Sequence, residues 1–173
     1  MAFDEARFGL INWHKKRYCP KGFRPPYIVQ RAYEWTYLYT AVDPATGESF
    51  CLHLPGLDST CFEAFLKHLG EAYADYRLVL VLDNAPSHIS KEITLPQNVS
   101  LLPLPAYSPE LNPVERWFQE FRRALANKVF ETIGSLQDAL TRVLEPYWER
   151  PDRLRNLTGF SWWTEAIDAL CHQ

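Results

Sequence analysis

The chain has 173 residues, 47% hydrophobic and 14% aromatic, which is enough for one domain with a buried core and too apolar for a disordered tail. Its formal net charge of -3 argues against a strong free-standing nucleic-acid binder, because non-specific affinity comes from lysines and arginines that neutralise phosphates. Apolar runs such as Leu78–Leu82 fall far short of the roughly 20 residues of a spanning helix, and the N-terminus lacks the basic and apolar regions of a signal peptide. An intracellular, cytoplasmic protein with no membrane partner is expected.

In chain order, residues 3–11, FDEARFGLI, read as a strand. By the period of two, Asp4, Ala6, Phe8 and Leu10 share one face, so a carboxylate stands in line with apolar residues. HKKRYCPKGFRPP follows as a basic connection, in which Lys15, Lys16, Arg17, Lys21 and Arg24, with Arg31 beyond, are interleaved with Tyr18, Phe23 and Tyr27. That mixture suits a loop that tracks phosphates, and equally an ordinary solvated connection. YEWTYLYTAV is a run of aromatic and β-branched residues, DPATGE is turn chemistry that accounts for Asp43, and SFCLHL reads as the returning strand of a hairpin.

Phe62, Phe65, Leu66 and Leu69 recur at helical spacing, with Ser59 or Thr60 available as N-cap, which predicts a crossover helix. The strand RLVLVLD, a short helical element in SHISKEI, the strand NVSLLPL, a long helix over about 112–127 and one or two more helices from Leu136 onward complete the order. The fold class is therefore α/β, a mixed sheet flanked by helices in a single domain over 1–173. Cys19, Cys51, Cys61 and Cys171 show no CxxC spacing and read as thiols, and Cys51, His53, Cys61 and His68 fit no regular zinc-ligand spacing.

Three acids stand out. Asp83 ends the apolar strand in VLVLDNAPSH, where α/β sheets commonly place ligands, although Asp83, Asn84 and Pro86 could equally form a turn. Glu115, in LPAYSPELNPVERWF, could close a capping box with Asn112 as N-cap and Pro113 as first helical residue, yet it also lies at the margin of the stripe formed by Val114, Trp117, Phe118, Phe121 and Leu125. Asp4 is either a frayed terminus or, by its strand phase, an inward-facing acid. Three carboxylates from two strands and a helix are what two hard divalent cations, about 3.5–4 Å apart, require for phosphoryl transfer. No P-loop, GxSxG or HExxH sequence competes.

FDEARFGL, VLVLDNAPSH and LPAYSPELNPVERWF, in this order along nearly the whole chain, resemble the DDE transposases of the insertion-sequence 630 type, relatives of the mariner transposases. The resemblance implies a ribonuclease H-like catalytic core in which Asp4, Asp83 and Glu115 bind two Mg²⁺ or Mn²⁺ ions. It implies cleavage of DNA at the ends of a mobile element and joining of the freed 3′ ends to target DNA. Asn84 and His88 match the motif as residues that orient the metal ligands or touch DNA, with a packing or turn role equally open. Members of the family carry helix-turn-helix segments ahead of the core, whereas this sequence starts three residues before its first acid. End recognition is thus expected from a separate or upstream segment, in a prokaryotic, nucleoid-associated setting, with a homodimer among the expected assemblies. A ribonuclease H-like nuclease without transposition, or a catalytically silent DNA- or protein-binding relic, are the alternatives.

Overall fold

The computed structural model describes residues 1–26, 28–88, 93–106 and 108–171. Five strands, β1 (Ala2–Gly9), β2 (Trp35–Val42), β3 (Ser49–Leu54), β4 (Leu78–Leu82) and β5 (Val99–Pro103), form one sheet in the order β3-β2-β1-β4-β5. The first three are antiparallel, and β4 and β5 run parallel to β1. A parallel neighbour cannot be reached by a hairpin, so the chain crosses over from β3 to β4 through α1 (Ser59–Ala72). Helices α2 (Val114–Leu125), α3 (Ile133–Trp148), α4 (Pro151–Thr158) and α5 (Ser161–Cys171) follow the sheet. This is the expected ribonuclease H-like mixed sheet.

Alternation along β1 sorts its side chains between two cores. Ala2, Ala6 and Phe8 face α2 and α3, together with Leu38, Val42 and Val81, whereas Phe3 faces α1 with Tyr39, Ala41, Leu80 and Leu82. The amphipathic stripe of α2 behaves as its spacing requires: Val114, Trp117, Phe118, Phe121 and Leu125 are all buried. Each such side chain contributes roughly 1.5–3 kcal/mol of transfer free energy, which holds α2 against the sheet and fixes where its first turn lies. Arg7, on the solvent side of β1, lies over the Trp35 ring at 4.4 Å.

Several boundaries differ from the sequence reading. The N-cap of α1 is Asp58, whose Oδ1 accepts from the Cys61 backbone N–H at 2.8 Å, so the helix starts at Ser59 itself. Three helices, not one or two, follow α2, because α4 starts afresh at Arg150 and Pro151 and ends at Gly159. The DPATGE turn forms as expected, with Asp43 accepting from Ala45 N–H and the Thr46 hydroxyl. Gly47 there has φ +83° and a side chain would collide with the Pro151 carbonyl, so only glycine suits the position. Tyr27 and most of the SHISKEI segment lie outside the described residues. Cys51 faces the α2 side of the sheet and Cys61 belongs to α1 on the other side, so they form no zinc cluster with His53 and His68.

Candidate active site

β1 and the carboxyl end of its neighbour β4 bring two of the three acids together. Ala2 pairs with Val81 in parallel register, and both belong to the core facing α2. Carried two residues on, the same register sets Asp4 level with Asp83 on the same side of the sheet, with adjacent strands about 4.8 Å apart. Asp4 is held on both oxygens: Oδ1 accepts the Glu5 backbone N–H at 2.8 Å and Oδ2 accepts from the Asn112 side chain at 3.2 Å. Burial, with the neighbouring charge of Glu115 next in weight, pushes the Asp4 carboxyl up to about 8.

Glu115 arrives from the first turn of α2. Asn112 is buried, donates to the Phe3 carbonyl at 2.9 Å, and accepts the Val114 N–H at 3.2 Å, so it ties the start of α2 to β1 beside Asp4. The capping box, one of the two readings open for Glu115, does not form. The helix begins at Val114 with no side-chain cap from Pro113, and the Glu115 carboxylate instead meets Arg122, at 3.5 Å, on its own helix. Asp4, Asp83 and Glu115 all line one cleft of about 410 Å³, together with Asn84, Asn112, residues 104–106, Ser108 and Pro109. They stand apart across it: among the described residues no three carboxylates, imidazoles or thiols are grouped closely enough to hold an ion as they are.

His88 reaches Asp83 from the other side of the sheet. Its ring is buried between Phe3 and Phe62, at centroid distances of 5.5 and 4.6 Å. Nε2 lies 2.7 Å from Glu5 Oε1 and Nδ1 lies 2.9 Å from Asp83 Oδ1, with the His88 and Glu5 side chains only 2% and 6% exposed. Burial opposes charge on the imidazole, but the hydrogen bond and charge of Glu5, joined by Asp83, outweigh it and raise the His88 pKa. Asp83 Oδ1 also accepts the Ala85 N–H at 3.0 Å, as a turn residue does, while the side chain lines the cleft. Asn84 donates to the Leu104 carbonyl at 2.7 Å and ties the exits of β4 and β5. Glu5 and Asn112 are site residues that the sequence reading misses; their signals are the DE pair of FDEARFGL and the asparagine that opens NPVE.

Residues 1–137 match the sequence profile of the DDE superfamily endonucleases. The chain belongs to that superfamily. Protein y4pE/y4sA of Sinorhizobium fredii (strain NBRC 101917 / NGR234), itself described only as uncharacterized, is 37% identical over 104 residues, covering 59% of this chain and 77% of that one. The fold is similar to that of the Mos1 mariner transposase. A paired-end complex with Mn matches with a TM-score of 0.64 at 22% identity, and a pre-cleavage transpososome with 0.63 at 21%, each over 97% of this chain. A strand transfer complex matches with 0.60 over 91%. This chain spans about half the length of those Mos1 chains.

The remaining predicted residues of this DDE endonuclease lie elsewhere. Lys15, Lys16, Arg17, Lys21 and Arg24 are exposed on the β1–β2 connection, beside exposed Tyr18 and Phe23. The feet of this arch are fastened: Asn127 exchanges hydrogen bonds with the Lys15 backbone, and Gln30 bonds the Phe130 backbone. Arg122 pairs with Glu115 and Arg123 with Glu120, whereas Arg116 lies over the Phe160 ring.

The raised pKa of Asp4 gives a pH dependence with a definite sign. The folded chain holds a proton on Asp4 that the unfolded chain releases near 3.8. This group's contribution is therefore fully present below about pH 4 and is lost as pH rises toward 8. Asp4→Asn, which stays neutral at every pH but turns an amide NH₂ toward one of the two donors, should shift the cation-free Tm relative to wild type more favourably at pH 8 than at pH 4. Equal Tm differences at both pH values would show that Asp4 is not the buried acid described.

Proposed function

We propose that this DDE endonuclease is the catalytic core of a transposase, cutting DNA strands at the ends of a mobile element and joining the freed 3′ ends to target DNA. The observation that carries this reading is the cleft onto which β1, β4 and α2 deliver Asp4, Asp83 and Glu115. The donor set fits Mg²⁺ or Mn²⁺. All three groups offer hard carboxylate oxygens, and the upward shift of Asp4, caused first by burial and next by the charge of Glu115, includes a repulsion between carboxylates that a cation relieves. The superfamily membership and the solved Mos1 complexes with Mn and Mg support divalent-metal use as well.

Asp4, Asp83 and Glu115 would hold the cations, two of them in our reading. When bound, these supply an activated attacking oxygen and charge stabilisation on the leaving one. The chain's own residues do the positioning. Asn112 holds Asp4 against the start of α2, and the Glu5–His88 pair holds one oxygen of Asp83 so that the other stays free for the cleft. Asn84 keeps β4 and β5 together at the cleft's edge.

DNA is the partner this reading requires, and the basic arch between β1 and β2 is the surface offered to its phosphates. With a net charge of -3 the arch acts locally, and recognition of a particular end sequence is assigned to a separate or upstream segment. A homodimer holding two ends and a place on the prokaryotic nucleoid belong to the same proposal. None of the described helices is long and apolar enough to cross a membrane.

The test is an assay of duplexes bearing the inverted repeats that flank the gene, incubated with Mn²⁺ and a plasmid target. Metal-dependent nicking and joined products are expected. Nicking without joining would reduce the protein to a nuclease, and neither activity would leave a silent relic. Replacing Lys15, Lys16 and Arg17 by Ala should weaken binding of any duplex. It should also flatten the slope of log K against log salt by about 0.9 for each phosphate that is no longer neutralised; an unchanged slope would place the DNA elsewhere.

A further inference from the structure

The wall formed by Pro109, Asn112 and Glu115 has a second side. The same three residues line an adjoining cleft of about 710 Å³ whose far wall is Phe160 and Trp162. Those two rings stack in parallel, 5.7 Å apart with 11° between their planes, and the Arg116 guanidinium lies over the Phe160 ring at 5.7 Å. Guanidinium, phenyl and indole thus lie together in a cleft that Glu115 also lines.

The stack is firmly seated. Phe160 packs against the core, and its carbonyl accepts the backbone N–H groups of Trp163 and Thr164. Trp163 is buried, 5% exposed, as the anchor of α5, whereas its neighbour Trp162 is 41% exposed and lines the cleft. Consecutive tryptophans therefore divide the work, one holding the helix and one presenting a ring to solvent.

We infer that this cleft is a stacking site for an unpaired nucleobase of the DNA strand whose phosphodiester bond lies at the acid cleft. The inference rests on the function proposed above. An aromatic face beside a guanidinium is the surface on which bases stack without regard to sequence. Glu110, Glu115 and Arg116 line the cleft together, Glu115 is already paired with Arg122, and Arg116 lies over the Phe160 ring, so the lining carries no surplus of cations for a phosphate and its exposed aromatic surface suits the base. A base inside a duplex already has both faces covered, so the occupant is a nucleotide at an overhang or one drawn out of its pair. The shared wall sets this site immediately beside the acids, where the nucleotide next to the reacting bond must lie.

The experiment uses the full chain and a hairpin duplex with a short 3′ overhang carrying 2-aminopurine, a fluorescent base quenched by stacking, with the blunt hairpin as control. Wild-type protein and Trp162→Phe should quench the probe, and Trp162→Ala should not. Trp162→Ala should lose about tenfold to a hundredfold in affinity for the overhang and far less for the blunt hairpin. A matching cation-free Tm checks that the variant is folded. Undiminished quenching by Trp162→Ala, or equal loss on both hairpins, overturns the site. So does conversion of a wild-type dimer to a monomer in sedimentation, which would make this face a subunit contact. Nicking activity is read in parallel: quenching without nicking retains the base site and refutes the transposase reading, and nicking without quenching does the reverse.

Discussion

Asp83→Asn is expected to abolish metal-dependent strand cleavage, by a factor of a hundred or more, while leaving the cation-free fold and Tm essentially unchanged. The two halves of that expectation come from different oxygens. Oδ1 accepts from the Ala85 N–H and lies 2.9 Å from His88 Nδ1, and an asparagine carbonyl oxygen can take over both contacts. What the amide cannot replace is the negative charge and the second hard oxygen offered to a cation. Because the Asp83 side chain is 61% exposed, the substitution leaves no cavity. Cleavage of a labelled duplex with Mn²⁺, together with calorimetric titration of Mn²⁺, measures both sides. An Asp83→Asn protein that still cuts DNA would remove Asp83 from the site.

His88→Ala should be the most destabilising single change in the site. It removes a buried ring packed between Phe3 and Phe62 and leaves the Glu5 carboxylate, 6% exposed, without its partner. Breaking a buried pair from one side costs about 3–5 kcal/mol, which for a domain of this size lowers Tm by roughly 10 °C. Glu5→Gln in the His88→Ala background should recover part of the loss, because the buried charge is then gone. The pH dependence follows from the raised His88 pKa. Stabilisation from charging His88 is complete below its ordinary 6.5 and is lost as pH rises through the higher folded value. The gap between wild type and His88→Ala should therefore be widest in mild acid and shrink in base. A gap that widens with pH, or a double variant no more stable than His88→Ala, would mean that Glu5 and His88 do not act as a charged pair.

Much of this site was legible in the sequence, because it depends on local patterns that the chain writes in order. The strand period placed Asp4 on the face of Ala6 and Phe8, the apolar run Leu78–Leu82 ended at Asp83, and the helical stripe of α2 set Glu115 at its margin. All three positions follow from backbone periodicity, which acts over a few residues. Tertiary structure alone decided the rest. Glu5 and His88 are 83 residues apart and Asn112 and Phe3 are 109 apart, and no period links such residues. They meet because β1 lies in the middle of the sheet, with β4 parallel on one side and α2 packed over its end. The DE pair signals Glu5 only by its place beside Asp4, since the alternation that sends Asp4 to the α2 side sends Glu5 to the opposite face. Whether that face is solvent or core depends on α1 and the 83–88 turn covering it. The capping box of Glu115 does not close, because the Asn112 N–H is taken by the Pro109 carbonyl and the Asn112 oxygen caps Val114, while its amide N–H groups go to Phe3 and Asp4, partners that a nearby-residue rule does not weigh. Local sequence determined which groups stand on β1, past the end of β4 and in the first turn of α2, and long-range packing determined what each of them touches.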